Sequence, residues 1–348
     1  MRLQRSGAIA RPARGSAVAD LAWQGESAAA AEKPALLPAR ARVAVVIPTY
    51  NYARFLGAAL ESVYAQTAPA AEIIVVDDGS SDDPAAVLAG HPGVQFLRQR
   101  HAGLGAARNT GWRAATSEYV VFLDADDRLR PDALALNLEQ FDRHPECGLV
   151  YGAFANLKLA TGLAEPVEFE TPGVDPVAGF LRGNCIGMHG TVMYRREVLE
   201  ELGGFDARLR ACEDYDFYLR AVFRYPLACR SEVLADYVRH DHNMSLDAGM
   251  MLRAALRVLR RCEPLAREKA EWRQALRDGR AGLIETYVTD WANAYLWAFG
   301  SWEQFGLSWQ GVKLARVAPL SVAGVIVDPI LTGLVRRVRH RLAGPKTG

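Results

Sequence analysis

The chain has 348 residues, half of them hydrophobic, which is enough to bury one large core or two smaller ones. With 41 Lys and Arg against 40 Asp and Glu, the net charge is +1; without a global basic field nucleic acid is not expected as a partner, and an anionic ligand must be held by local groups. Five cysteines, Cys147, Cys185, Cys212, Cys229 and Cys262, are widely spaced and never form C-x-x-C, which argues against a disulfide framework or zinc ribbon and fits a reducing cytoplasm.

Residues 1–41 are rich in Ala and Arg, hold no apolar run long enough for a secretory segment, and carry Pro34 and Pro38 near their end, so they read as a disordered tail. From Val43 short apolar runs alternate with helical periodicity, the pattern of βα units on a parallel sheet. Residues 43–47 read as a buried strand, and Phe55, Leu56, Ala59, Leu60 and Val63 recur at helical spacing. Strands at 73–76 and 94–97 follow, with a short helix at 84–88 between them and a helix opening near Gly103. A fourth strand at 119–123 ends at carboxylates, and Pro131 is placed as the first residue of the next helix, with Leu134, Leu138 and Phe141 on one face.

Beyond His144-Pro145 the signals are mixed. Residues 148–155 and 191–194 resemble strands, 167–170 a short edge piece and 197–202 a helix. A helix over 213–223 opens with acids, and an extended stretch at 234–238 leads to His240-Asp241-His242. After Ser245 come long helices with Trp272, Trp291, Trp297 and Trp302. Residues 317–335 are apolar-leaning but broken by Pro319, Asp328 and Pro329, and are followed by Arg336, Arg337, Arg339, His340 and Arg341. The internal Asp and Pro argue against a bilayer span. Packing on the globule, a dimer contact and peripheral membrane contact with an anionic cytoplasmic leaflet stand as alternatives. The expected organisation is a tail (1–41), a nucleotide half (42–145), an acceptor half (146–245) and a helical extension (246–348).

Four motifs carry the chemistry: VVIPTYN at 45–51, VVDDGSSDD at 75–83, GLGAARNTG at 103–111 and FLDADD at 122–127. Each follows or opens a strand or helix, so all should converge on one sheet edge. Pro48 should end ladder pairing and present the next backbone groups to a ligand. Asp77 and Asp78 can accept from a base N–H or ribose hydroxyls, although D-G-S-S-D also reads as an Asx turn with a helix cap. Arg108 replaces the third glycine of a dinucleotide fingerprint, which disfavours a dehydrogenase; it can serve a phosphate or pair with Asp77 or Asp124. Asp124, Asp126 and Asp127 repel one another unless a cation or basic group sits among them, and Asp127 can equally cap the next turn.

These motifs, together with Gly203-Gly204-Phe205-Asp206 and Glu213-Asp214, resemble family-two inverting glycosyltransferases of the GT-A fold over residues 43–245. The resemblance implies an α/β fold: a Rossmann-like, mostly parallel sheet flanked by helices, here with a C-terminal helical extension. It implies that Pro48, Thr49 and Tyr50 contact the nucleoside, that Asp78 meets uracil with Asp77 in support, and that Arg108, Asp124 and Ala125 line the diphosphate and donor sugar. Asp126 would bind Mg²⁺ or Mn²⁺, and Asp214 would be the general base. Tyr237, Arg239 and His240 resemble the family's Y-R-x-H segment out of its usual register, and His240 is favoured over His242 as a second metal ligand.

The implied activity moves a sugar from a nucleotide diphosphate donor, UDP preferred, to a hydroxyl of a glycan, lipid-linked or protein acceptor. The setting would be cell-surface glycan or polysaccharide synthesis, in the cytoplasm or at the inner face of the membrane. His189 and Arg210 are second-half residues on which the choice of donor sugar could depend. A sugar-nucleotide-forming nucleotidyltransferase would want a basic glycine-rich loop after the first strand, which 48–52 is not. A non-catalytic glycan-binding scaffold is the other rival, and the full set of acids argues against it.

Overall fold

The structure is a computed structural model that describes residues 21–22, 42–240, 247–297, 313–318 and 321. Residues 42–145 contain β2 (Val43–Thr49), α1 (Ala53–Tyr64), β3 (Glu72–Asp77), α2 (Pro84–Leu88), β4 (Val94–Arg98), α3 (Leu104–Ala114), β5 (Tyr119–Phe122), β6 (Arg128–Leu129) and α4 (Ala133–Arg143). The tail contributes β1 (Leu21–Ala22), which pairs antiparallel with the last strand. Residues 146–240 add β7 (Leu149–Lys158), β8 (Leu163–Pro166), α5 (Pro176–Arg182), β9 (Met193–Arg195), α6 (Arg196–Glu201), α7 (Glu213–Val222) and β10 (Leu227–Arg239). Helices α8 (Ala248–Arg261), α9 (Glu263–Ala266) and α10 (Ala270–Trp297) follow.

Every residue of β2 is buried, as expected for a strand covered on both faces. Its side chains alternate: Ala44 and Val46 join Ile74, Val76 and Phe122 in one core, whereas Val43, Val45 and Ile47 join Ile73, Val75 and Val121 in another. The sheet order is β1-β10-β7-β9-β5-β2-β3-β4, with β6 on β10 and β8 on β7. Strands β5, β2, β3 and β4 are parallel, while β9 runs antiparallel to both β5 and β7. The chain leaves β2 toward β3 and β4 and returns to β5 on its other side, so a switch-point crevice opens at the carboxyl ends of β2 and β5.

Close approach of α3 to β2 depends on Gly111, where an added Cβ would lie 2.2 Å from Val46 Cγ1. Gly111→Ala is therefore expected to destabilise the fold by about 1–3 kcal/mol through overpacking. An unchanged urea midpoint would show that α3 has room to move.

Several boundaries differ from the sequence reading. Strand β2 pairs with β3 through Pro48 and Thr49; pairing with β5 ends at Val46, so Pro48 interrupts only that side. Pro131 lies outside α4, whose N-cap is Asp132, because Thr67 N–H takes the Pro131 carbonyl at 2.9 Å and Gln66 takes the Arg130 carbonyl at 2.7 Å. The edge piece lies at β8 rather than 167–170, since the turn at Gly162 (φ +66°) folds the chain back onto β7 early. Residues His189–Thr191 form a 3-10 turn ahead of β9.

The C-terminal helices pack on the elements before them: Val258, Leu259, Trp272, Ala275 and Leu276 share a core with Phe180, Phe217 and Val222. Trp272 stacks edge-on against Phe223 at 5.4 Å and donates to Asp175 at 2.7 Å. Among the described residues no helix is long and apolar enough to cross a membrane. Trp302, His242 and nearly all of 317–335 lie outside the described residues.

Candidate active site

The loops after β2 and β3 are sewn together. Asn51 adopts a positive φ of 59°, a conformation Asn tolerates better than most residues. Its Oδ1 accepts from Ser81 N–H at 2.7 Å, and its own N–H donates to Ser80 Oγ at 2.9 Å. Asp77, fully buried, accepts the Ser80 N–H at 2.8 Å. Asp78 accepts from Gln99 Nε2 at 2.7 Å and from the Ala102 and Gly103 N–H groups at 2.9 and 2.8 Å, with His101 Nδ1 2.9 Å away. Three N–H donors on one carboxylate, with the His101 ring beside it, tie down the 99–103 loop. Tyr50, exposed, stacks on the His101 ring at 4.2 Å and 25°, leaving a flat aromatic surface on the cleft rim. Thr49 Oγ1 is buried without a hydrogen-bond partner.

At the carboxylate end, Arg108 enters from α3 and is only 2% exposed. Its Nη2 donates to Asp124 Oδ1 at 2.8 Å and its Nη1 to Glu213 Oε1 at 2.5 Å. Burial opposes the guanidinium charge, but Asp124, Glu213 and Asp214 outweigh it and raise its proton affinity. Asp126 meets His240 Nε2 at 2.9 Å across 114 residues of chain, and His240 stacks on Phe55 at 4.8 Å and 16°. Burial and the Asp124 charge push the Asp126 carboxyl upward. Asp127 turns inward and accepts the Val238 N–H at 2.9 Å, fastening β10 to the strand-end loop. Ala125 is buried between the acids.

Ahead of α7, Gly203 and Gly204 both have positive φ, 74° and 71°, and open the turn that leads to Asp206. Asn109 grips that turn: it donates to the Phe205 carbonyl at 2.7 Å and accepts the Phe205 N–H at 2.9 Å. A Cβ at Gly204 would come within 2.2 Å of Asn109 Oδ1, so only glycine suits the position. Cys212 (φ 59°) then starts α7, whose first turn bears Glu213, Asp214 and Asp216, acids favoured by the positive end of the helix dipole. Burial pushes Glu213 up to about 7 although Arg108 opposes it. Asp214 is raised by burial, opposed by Arg108 and by the Tyr215 N–H that it accepts at 2.7 Å, and raised further by Asp124.

The model of the family described as Glycosyl transferase family 2 matches residues 44–203. An uncharacterized glycosyltransferase of Nostoc sp. is 33% identical over 222 residues, which cover 60% of this chain and 68% of that protein. The chain belongs to glycosyl transferase family 2. Chondroitin synthase of Escherichia coli is 29% identical over 213 residues, covering 59% of this chain; the chain spans only 30% of that longer relative. Among solved structures, the mannosyltransferase PcManGT from Pyrobaculum calidifontis in complex with GDP-Man and Mn²⁺ aligns with a TM-score of 0.55 at 22% identity, covering 84% of this chain and 87% of that one. S. aureus TarS 1-349 in complex with UDP-GlcNAc aligns at 0.53 and 16% identity, covering 80% and 92%. At such identities the two likenesses establish the fold, which is that of GT-A glycosyltransferases.

Within this family-2 fold, the residues singled out from sequence fall on the carboxyl edge of the parallel strands and on α7. Of the two roles open to Arg108, the structure shows the pairing one, with Asp124 and Glu213 rather than Asp77. Asp127 caps nothing toward α4. His189 is buried against Phe122, Phe205 and Tyr218, with its Nε2 3.1 Å from the Tyr194 hydroxyl and burial lowering its proton affinity; it supports the floor, and Arg210 is exposed. Among the described residues no group of three or more His, Cys, Asp or Glu side chains gathers as a metal cage; Asp126 and His240 form a pair of donors. Sequence reasoning missed His101 and Asn109. The signal for Asn109 was its place beside Arg108 on a helix opposite the Gly-Gly turn; His101 had none, because its role comes from a loop shaped by Asp78.

Proposed function

We propose that the chain is an inverting glycosyltransferase that moves a sugar from a UDP-linked donor to an acceptor hydroxyl in polysaccharide or glycoconjugate synthesis. The observation that carries this reading is Arg108: it spans from Asp124 at the strand-end carboxylates to Glu213 beside Asp214, at 2.8 and 2.5 Å. Donor-side acids and the acidic turn of α7 are thereby fixed at one locus, as a single in-line displacement requires. The relatives named for chondroitin synthesis and for a UDP-GlcNAc complex support the substrate class.

Asp214, with its proton affinity raised by burial, takes the acceptor proton as the oxygen attacks the anomeric carbon. Tyr50 and His101 offer their stacked rings to the base, and the tied loops after β2 and β3 hold the nucleoside edge. Arg108 holds Asp124 through the 2.8 Å ion pair and so places it toward the donor sugar. The Asp126 carboxylate is the kind of oxygen donor that suits Mg²⁺ or Mn²⁺, the His240 imidazole 2.9 Å from it would serve Mn²⁺ better than the harder Mg²⁺, and the upward push on Asp126 from burial and from Asp124 favours a positive neighbour there. When bound, such an ion would supply charge stabilisation to the departing diphosphate.

A nucleotide-sugar panel tests the reading through thermal stability in Mn²⁺. A donor at a hundred times its Kd stabilises the native state by about 2.7 kcal/mol, so UDP-sugars are expected to raise Tm, and Asp126→Ala to lose the Mn²⁺-dependent part. No shift with any nucleotide diphosphate sugar, with Asp126→Ala indistinguishable from wild type, would overturn it.

A further inference from the structure

The helical extension places one charged side chain against the acceptor end. Arg261, the last residue of α8, donates through Nη1 to Asp216 Oδ1 at 2.8 Å and pairs through Nη2 with Asp206 Oδ2 at 2.9 Å. Asp206 closes the Gly-Gly-Phe-Asp turn, and Asp216 sits in the first turn of α7, two residues past Asp214. A rigid guanidinium fork therefore joins the turn to the helix that bears the base. Both elements are also gripped from α3: the turn by Asn109, the helix by Arg108 on Glu213. Residues 213 and 216 are three apart and share a helix face, whereas Asp214 is displaced by ~100° around α7.

The carboxylate ends of the bridge are themselves set. Arg208 and then Arg261 hold the Asp206 carboxyl well below the usual aspartate range. Asp216 also accepts from Arg220 Nε at 2.9 Å, while Arg220 donates to the Leu202 and Gly204 carbonyls at 2.8 and 2.7 Å. A cavity of about 460 Å³ opens between the turn, α7 and α8, and Asp206, Asp216 and Arg261 line it. Val258 and Leu259 of α8 pack in the same apolar core as Phe217 and Val222 of α7, and the ion pairs add a polar tie between the turn and α7 beside that contact.

We propose that Arg261 is a positioning residue for sugar transfer: through it the extension sets the separation of the Gly-Gly-Phe-Asp turn from α7, and with it the placement of Asp214 against the acceptor hydroxyl. The inference rests on Asp214 being the base. The test compares Arg261→Met, Arg261→Lys and Asp214→Asn with Arg280→Gln, which removes an ion pair to Glu263 lying wholly within the extension.

Arg261→Met is expected to lower kcat about 10- to 100-fold, the scale of a small misplacement of reacting groups. Donor KM and the donor-induced Tm shift should stay within about twofold of wild type. Arg261→Lys should recover part of the loss, since an ammonium reaches the two carboxylates less well than a fork. Arg280→Gln should keep wild-type kcat. A folded Arg261→Met with wild-type kcat, or an equal fall in Arg280→Gln, overturns the proposal while Asp214→Asn remains inactive. Wild-type turnover in Asp214→Asn would instead remove the base assignment on which the proposal stands. Should Arg261→Met fail to fold, Asp206→Asn, which cuts one arm only, is measured against the same expectations.

Discussion

Asp214→Asn is expected to lower kcat for transfer by roughly 10²- to 10⁴-fold, the range general-base catalysis supplies, while the Tm rise produced by a UDP-sugar persists. The amide is close to isosteric and keeps an oxygen for the Tyr215 N–H, which Asp214 now accepts at 2.7 Å, so the start of α7 should survive. What it loses is the capacity to take a proton. The wild-type profile should carry the matching signature: burial raises the Asp214 carboxyl, Arg108 and Tyr215 oppose, and Asp124 adds to it, with the net direction upward. A base works only when ionised, so activity should fall as pH drops through a value above the ordinary aspartate range, and the Asn variant's residual rate should lack that acid limb. Initial rates at saturating donor and acceptor decide the matter. A variant that keeps a tenth or more of wild-type kcat with an unaltered pH profile would move the base elsewhere.

The fold was legible where burial leaves few choices. Runs such as 43–47, 73–76 and 119–123 are apolar on both faces, which only a covered parallel strand explains, and they appear at those places. Pairing read less well. The 13-residue β10 showed only its apolar 234–238 segment, because Arg230 and Glu232 inside it pair with each other at 2.8 Å and disguise the strand. Helix α5 was missed although Asp175 caps it by accepting the Ala178 N–H at 3.1 Å and Pro176 fills its first turn. Those are starting signals, but Gly179 inside the helix, with Gly173 before it and Gly183 just after it, weakens the helical pattern. Gly179 is there because the Pro172 carbonyl lies where a Cβ would be, at 2.1 Å.

In the candidate site, residue types at strand ends were visible, but their partners were not. The resemblance set Asp78 on the base and Asp77 in support, but not which backbone groups each carboxylate holds: Asp78 takes N–H groups of the 99–103 loop and Asp77 one of its own turn. Which carboxylates Arg108 joins depends on α7 folding back across 105 residues, a long-range fact that spacing cannot carry. His240 is similar: its approach to Asp126 is produced by Asp127 pinning Val238, so an inward-turned acid with no ligand to bind shapes the adjacent pair of donors.

Arg108→Met should be the most damaging substitution to the fold itself, costing about 3–5 kcal/mol, the penalty for leaving one partner of a buried ion pair behind. Methionine fills much of the same volume, so the loss comes from charge rather than from a cavity. Glu213, its side chain only 4% exposed, would lose the guanidinium that now opposes its desolvation; Asp124, at 32%, can turn to water. The double variant Arg108→Met with Glu213→Gln should therefore recover much of the loss, since a neutral amide needs no counter-charge there. The pH dependence separates this account from simple packing damage. Burial already pushes Glu213 up to about 7 against the pull of Arg108, and removing that pull raises it further. A protonated Glu213 costs the variant little, so the deficit measured by urea unfolding should be large at about pH 8 and shrink near pH 6. Equal deficits at both values would mean that shape, not the buried charge, makes Arg108 indispensable, and the electrostatic link between the donor acids and the helix of Asp214 would have to be abandoned.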